Sequence, residues 1–351
     1  MGSVKEPQYK SICLVRLSAL GDVCLMVATV KLLQKTFPEA KISWVISDPA
    51  YQLVKDLKHI EFIVIKKPRS FSDYKKIYKD LKHREFDVLL AAQASLRVNL
   101  LYPAIKAKLK IGFDKKRGRD LQSLFTNRKI EFAKEHLLDS FLRFAYAIGA
   151  EKQKDPDCSL TISDKTRVWA KKELDSFSPP YLLINHSASK EERNWSIAGY
   201  VAIADSFIKK YRGSVILTGG SNEQEILAGA KVLAAISTKS AKDLTGKTTP
   251  QQLTALIAAS NCVLSPDTAA VHIANAVNTP VIGLYAVAPS WLSGAYKQLD
   301  NMIDKFPQAV ELFLKKDPKM CDWKTRVHDI RAMGLVGISE VEKKLHQLLK
   351  S

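Results

Sequence analysis

No stretch of this 351-residue chain is apolar for the ~18–20 residues that a membrane-spanning helix needs, so a transmembrane segment is not expected. The opening residues, MGSVKEPQYK, lack the apolar core of a signal peptide, and a cytoplasmic protein is expected. Cysteine is sparse. The five present (Cys13, Cys24, Cys158, Cys262 and Cys321) form no C-x-x-C pair and have no histidine close by in sequence, which argues against a zinc ribbon or a disulfide scaffold. The chain also lacks G-x-G-x-x-G, H-E-x-x-H and the nucleophile-elbow pattern. These absences exclude a dinucleotide oxidoreductase, a zincin and an α/β-hydrolase of the usual signatures.

What the chain does carry is positive charge. Lysine and arginine number 54 against 36 aspartate and glutamate, a formal net charge of +18. Residues 1–163 hold +12 of it and the remainder +6. A polyanionic partner (nucleic acid, an acidic membrane surface or a phosphorylated glycolipid) would be steered to the first half. Lysine-rich solubility is the other reading, and composition does not separate the two. No helix-turn-helix, zinc finger or aromatic RNP signature accompanies the charge, so nucleic acid is not the expected polyanion.

Short β-branched apolar runs alternate with segments of helical period, the pattern of parallel sheets flanked by helices. Strands are expected at 11–16, 42–47, 62–65, 87–91 and 110–113, then at 181–186, 214–218, 262–265 and 281–285. Helices fit 23–36, 49–57, 72–83, 95–106 and 136–148, then 197–211, 223–236, 250–259 and 268–276. The polar stretch 152–180, with three prolines, interrupts the alternation and marks the interdomain connection. Two α/β domains are therefore expected, 1–163 and 164–326. A last amphipathic helix, with Ile338, Val341, Leu345, Leu348 and Leu349 on one face, sits within a packing segment 327–351. Two such domains would leave a ligand cleft at the carboxyl ends of their strands.

Four loops follow strands and carry polar chemistry. In Arg16-Leu17-Ser18-Ala19-Leu20-Gly21-Asp22-Val23, Asp22 falls at a helix start, where it either caps the helix or offers a carboxylate that accepts a proton. Ser265-Pro266-Asp267-Thr268-Ala269-Ala270-Val271-His272 brings small residues to a helix N-terminus, which suits phosphate or diphosphate. A dipole alone contributes only ~0.3–1 kcal/mol to an exposed anion, so side chains must help. Thr218-Gly219-Gly220-Ser221 is a second small-residue loop on the same edge. In the segment 186–196, Arg193 could grip phosphate, Ser196 could cap the next helix, and Trp195 could simply pack on it. Asp155-Pro156-Asp157 is formally a metal-binding D-x-D, but its place in the connector makes it a turn, and no catalytic metal is expected.

In this order and spacing, RLSALGDV near the start and SPDTAAVHIANAVNTPVIGLYA further on resemble the ADP-heptose:lipopolysaccharide heptosyltransferases of glycosyltransferase family 9. The segments IGFDKKRGRDL and HLLDSFLRFAYAIGA are similar to the family's acceptor domain, and the resemblance runs from about Ile12 to Leu348. It implies a GT-B fold, two Rossmann-like doubly wound domains facing each other across a cleft. It also implies an inverting, metal-independent enzyme that moves heptose from ADP-L-glycero-D-manno-heptose to the Kdo/heptose inner core, without a cofactor. Asp22 would be the general base. Ser189, Arg193, Gly219, Glu223, Thr248, Asp267, Thr268, Ala269, Ala270 and His272 would bind the donor, with Thr248 near the base and Glu223 near the sugar. The basic run from Lys106, with Lys115, Lys116, Arg117 and Arg119, would receive a phosphorylated lipid A–Kdo acceptor at the cytoplasmic face of the inner membrane. Three positions depart from the family pattern: Arg193 stands for a lysine, Ala269 for a glycine and Ala286-Val287 for Gly-Pro. Another nucleotide-sugar transferase, or a silent binding module on the same fold, are the alternatives.

Overall fold

The computed structural model describes residues 9–350; most of the N-terminal decapeptide, on which the expectation of no leader rests, lies outside them. The chain divides into two compact units, Met1–Thr161 and Ile162–Ser351.

The first unit contains β1 (Ser11–Val15), β2 (Lys41–Ser47), β3 (Glu61–Ile65), β4 (Glu85–Leu90), β5 (Lys106–Gly112) and the short β6 (Arg128–Lys129). They form one six-stranded parallel sheet in the order β3-β2-β1-β4-β5-β6. Its helices are α1 (Leu20–Thr36), α2 (Asp48–Val54), α3 (Phe71–Leu81), α4 (Leu96–Asn99) and α5 (Leu137–Tyr146). The second unit begins with α6 (Asp164–Leu174) and carries β7 (Tyr181–Asn185), β8 (Ser214–Thr218), β9 (Ala241–Asp243), β10 (Cys262–Pro266), β11 (Val281–Tyr285) and β12 (Met302–Asp304). These are also all parallel, in the order β12-β11-β10-β7-β8-β9. Its further helices are α7 (Ile197–Tyr211), α8 (Glu223–Ala235), α9 (Pro250–Ala258), α10 (Ala269–Ala276), the one-turn α11 (Ser290–Ser293) and α12 (Phe306–Ala309), and α13 (Ile338–Leu348).

Counted from each unit's first strand, both sheets read 3-2-1-4-5-6, the doubly wound order. The order reverses between β1 and β4 in one unit and between β7 and β10 in the other. The expected pair of Rossmann-like doubly wound domains is what the chain forms.

Local chemistry explains the element ends. Ser196 Oγ accepts the Gly199 amide at 3.0 Å, so the expected cap on α7 is real. Thr249 and Gln252 form a capping box on α9, with Pro250 in the first helical position, where a missing N–H costs nothing. Trp195 is buried, its ring edge-on to Tyr200 at 5.2 Å and its indole N–H donating to the Val336 carbonyl at 3.0 Å. Helix α1 is buried on nearly all sides, as a helix inside a core must be, and needs no polar face. Val341 and Leu345 of α13 join the core of the second unit, while Ile338 stays exposed.

One expected helix fails. The helix expected over 95–106 ends at Asn99, because β5 begins at Lys106 and pairs with Glu85 of β4. The alternation Lys106-Ala107-Lys108-Leu109-Lys110-Ile111 is a strand with lysines on one face, a period of two rather than 3.6. The boundary between the units falls inside the expected connector 152–180, whose middle holds α6, tied to the second unit by Lys242 Nζ on Glu173 at 2.6 Å.

Candidate active site

At the first unit's switch point, the chain leaves β1 at Arg16 and enters α1 at Leu20. Arg16 is buried; Nη1 donates to the Ala92 carbonyl, just beyond β4, at 2.7 Å. Its guanidinium lies over the Phe141 ring at 4.9 Å, and Nη2 donates to Asp22 Oδ2 in a short ion pair. Asp22 Oδ2 also accepts the Ala19 amide at 3.3 Å. The helix-cap reading of Asp22 thus holds, yet the stronger tie is to Arg16, and the carboxylate keeps 28% of its surface exposed. The loop after β4 braces this arrangement: Gln93 Oε1 accepts the Leu17 amide at 2.7 Å, and the Tyr102 hydroxyl donates to the Gln93 carbonyl. Arg16, Gln93 and Phe141 were not picked out from sequence. Arg16 lies six residues from Asp22, but the contacts that bury and aim it, to Ala92 and Phe141, come from residues about 76 and 125 positions away.

At the second switch point, the loops after β7 and β10 meet. Arg193 Nη1 approaches Asp267 Oδ2 at 3.2 Å and the Asp267 carbonyl at 3.5 Å. Thr268 caps α10 with Oγ1 accepting the Ala270 amide at 3.2 Å, and Asn185 Nδ2 donates to the same oxygen at 3.2 Å. Ser265 Oγ stands 2.9 Å from it as well. Ala269 is half-buried at the first position of α10, Ala270 is buried behind it, and His272 is buried one turn in. The structure therefore gathers Arg193, Asp267, Thr268, Ala269 and Ala270 at one helix start, where the amides of the first turn have no partner inside the helix.

The remaining donor candidates line the same sheet edge. Ser189 is exposed in the loop before Arg193, Glu223 is exposed at the first position of α8, and Thr248 is half-buried ahead of α9. Gly219 and Gly220 follow β8. Gly220 donates to Glu225 Oε2 at 2.6 Å, and a Cβ at Gly220 would come within 2.9 Å of Glu225 Oε1. Behind them His186 is buried, with Nε2 2.9 Å from Thr245 Oγ1 and Nδ1 2.7 Å from Ser187 Oγ. Burial holds its imidazole below the usual range, against the pull of Asp243 and Glu225.

The basic run does not form one patch. Lys106 pairs with Glu85 at 3.3 Å, and Lys110 is half-buried against the Tyr102 carbonyl. Arg117 is the clearest departure from a solvated run: it is buried, with Nε on Asp114 Oδ2 at 2.5 Å and Nη2 on the Glu131 carbonyl at 2.8 Å. Its charge is spent inside the loop because a buried Asp114 requires it there. Lys115, Lys116 and Arg119 are exposed. Asp157 of the D-x-D is engaged by Lys31 at 2.9 Å and accepts the Ser159 amide at 2.8 Å, so it closes a turn. Among the described residues, no group of three or more histidine, cysteine or acidic side chains could hold a metal ion. Nor is any helix among them long and apolar enough to cross a membrane.

Two tandem doubly wound units, with a braced carboxylate at one strand-order reversal and a cation beside a helix N-terminus at the other, define an α/β protein of paired Rossmann-like domains. Comparison with known proteins narrows the class. The family model of glycosyltransferase family 9 (heptosyltransferase) matches residues 74–318, and the chain belongs to that family. The lipopolysaccharide core heptosyltransferase OpsX of Haemophilus influenzae is 34% identical over 342 residues, 97% of this chain and 96% of that protein. Among solved structures, a family 9 glycosyl transferase from Veillonella parvula shares the fold with a TM-score of 0.80, at 20% identity over 99% of both chains. E. coli ADP-heptose lps heptosyltransferase II does so at 0.77, with 18% identity over 97% of this chain and 98% of that one.

Proposed function

We propose that this glycosyltransferase moves a heptose from ADP-heptose onto the anionic inner core of lipopolysaccharide by a single displacement with inversion, using neither metal nor cofactor. The observation that carries the proposal is the pairing of chemistries at the two strand-order reversals. One presents a partly exposed carboxylate held by a buried arginine; the other presents an arginine beside the first turn of α10. Asp22 takes the proton of the acceptor hydroxyl as that oxygen attacks the anomeric carbon. An ionised aspartate is a weak base and acts once the hydroxyl turns acidic in the transition state. Arg16 and Ala19 occupy Oδ2, which orients the carboxylate for that transfer.

The leaving diphosphate gathers negative charge as the bond breaks. Arg193 and the first-turn amides of α10, around Thr268, Ala269 and Ala270, stabilise it. Thr248 faces the nucleotide base, and Ser189, Gly219, Glu223, Asp267 and His272 complete the donor set. Lys115, Lys116 and Arg119 attract the phosphorylated acceptor, with Arg117 shaping their loop. The relatives, a lipopolysaccharide core heptosyltransferase and an ADP-heptose lps heptosyltransferase, supply the heptose, the ADP donor and the lipopolysaccharide acceptor.

The test is product release from purified protein given a Kdo–lipid A acceptor and ADP-heptose, GDP-sugar or UDP-sugar in turn. ADP release and acceptor glycosylation with ADP-heptose alone support the proposal. Turnover with UDP- or GDP-sugar in preference, or ADP-sugar binding with no turnover on any acceptor, overturns it.

A further inference from the structure

Six large apolar side chains are exposed among the described residues of the first unit: Val64, Phe71, Leu96, Leu100, Leu121 and Leu124. Five of them lie on three segments that hydrogen bonds tie into one face. The Tyr74 hydroxyl of α3 donates to the Arg97 carbonyl of α4 at 2.9 Å, and the Tyr78 hydroxyl to the Leu100 carbonyl at 2.8 Å. The Leu96 amide donates to Asp120 Oδ2 at 2.9 Å, which links α4 to the segment 119–125. Phe71 stands one turn ahead of Tyr74 on α3 and is 86% exposed; Leu121 and Leu124 are 65% and 70% exposed.

The loop is built to hold its leucines outward. Asp120 and Leu121 both adopt left-handed backbone, φ 52° and 64°, a conformation costly for a side chain of this size. Buried Asn99 secures it: Nδ2 donates to the Arg119 carbonyl at 2.9 Å and to the Asp120 carbonyl at 2.8 Å.

Cations border these apolar groups. Lys66, Lys67, Arg69 and Lys75 are exposed on and just before α3, Arg97 on α4, and Arg119 next to Leu121. Partial desolvation along its stem, and next the charge of Arg97, hold the Lys67 ammonium below its usual range although the residue as a whole is exposed. Of the three acids on these segments, Asp73 is turned onto the Arg69 and Ser70 amides and Asp120 onto the Leu96 amide, while exposed Asp80 lies at the far end of α3 from Phe71. Apolar side chains flanked by lysine and arginine match the boundary layer of an anionic bilayer, where acyl chains take the leucines and headgroups take the cations.

We infer that the face formed by α3, α4 and the 119–125 segment seats the first unit on an anionic lipid surface, with Phe71, Leu121 and Leu124 entering the headgroup layer. The inference rests on the proposed function for its relevance, since an acceptor anchored in a membrane would then emerge beside Arg119. The lipid contact itself needs neither donor nor acceptor.

The experiment is co-sedimentation of the intact protein with vesicles of phosphatidylethanolamine and phosphatidylglycerol, and with vesicles of phosphatidylcholine alone, each without substrates. Binding should require the anionic lipid and weaken with salt. The variant Phe71→Gln/Leu121→Gln/Leu124→Gln should lose at least about tenfold in vesicle affinity. Lys66→Gln/Lys67→Gln/Arg69→Gln should abolish the preference for phosphatidylglycerol. Both variants alter exposed side chains of the first unit, and parental circular dichroism and urea unfolding of the intact protein would show them folded. Equal binding to both vesicle types, or triple variants that bind as the parent does, would overturn the inference. So would variants that lose self-association in sedimentation velocity with vesicle binding intact, which would make the face a protein interface. Turnover on a deacylated, soluble acceptor separates the two claims. Its absence defeats the proposed function, whereas its presence without vesicle binding defeats only the lipid-seating face.

Discussion

At the first unit's strand-order reversal the arginine is the hidden partner: Arg16 is 11% exposed and Asp22 28%. At the second the positions are exchanged, with Asp267 at 13% and Arg193 at 24%. The topology is the same, and each site is an arginine–aspartate pair, yet one shows solvent a carboxylate and the other a guanidinium. In each pair the less exposed ion neutralises and orients the more exposed one. The fold thus supplies two equivalent positions, and the choice of which ion to bury decides whether a position presents a carboxylate or a guanidinium to solvent.

The sharpest break of this comparison is Asp22→Asn, which keeps the shape and removes the base. Turnover should fall by about 10²–10⁴-fold with ADP affinity by calorimetry unchanged. Near-normal turnover would leave Asp22 only its tie to Ala19 and Arg16. Next in size is Arg117→Ala, which leaves Asp114 buried without its partner; urea unfolding should show about 3–5 kcal/mol lost. The corresponding change in the second unit, Arg193→Ala, should cost ADP-sugar binding roughly 1.5–3 kcal/mol, because a charge-assisted contact to phosphate is lost. Unchanged affinity would mean that Arg193 serves Asp267 alone.

A smaller effect is expected from neutralising Lys115, Lys116 and Arg119 together. The KM for acceptor should rise several-fold and its salt dependence should flatten, with the donor KM unmoved. Matching salt slopes in variant and parent would reduce these residues to ordinary surface charge. Smallest is a pH effect that separates the units. In the first, burial raises the Glu61 carboxyl, but hydrogen bonds from Ser43, Arg84 and Lys41 outweigh it and bring it down to about 2. A depressed carboxyl stabilises the fold above its unfolded value and loses that contribution as pH falls from about 4.5 toward 2. In the second unit, buried His186 is held below 6.5, so the unfolded state gains protons first and stability declines as pH drops below 6.5. Acid titration followed by tryptophan fluorescence should therefore show Glu61→Gln flattening the lower limb and His186→Gln the upper one. A limb that each substitution leaves unaltered would count against that group.

Much of this was legible in advance. The strands at Ser214–Thr218 and Val281–Tyr285, and the helix at Ile197–Tyr211, match their expected bounds, because buried parallel strands are short continuous apolar runs and capped helices announce their starts. The strands that escaped notice are β6, β9 and β12. Each has two or three residues and sits at a sheet edge, where pairing with a neighbour rather than composition makes the strand. Helix α6 was hidden by the polar sequence of the connector, with only Ala170 and Leu174 buried.

By itself, the sequence determined two α/β units with parallel sheets and placed Asp22 and Arg193 in loops that follow strands. Periodicity, capping chemistry and strand–turn–helix order are local, and a local pattern can be read along the chain. Only the tertiary structure decided which charges are available. It placed Arg16 on Asp22 and over Phe141, sent Arg117 inward to Asp114, and turned Leu121 and Leu124 out beside a row of cations. The physical reason is that burial and ion pairing depend on what lies across the sheet, often more than 70 residues away, and the free energy of a charge is set by that neighbourhood rather than by its own letter.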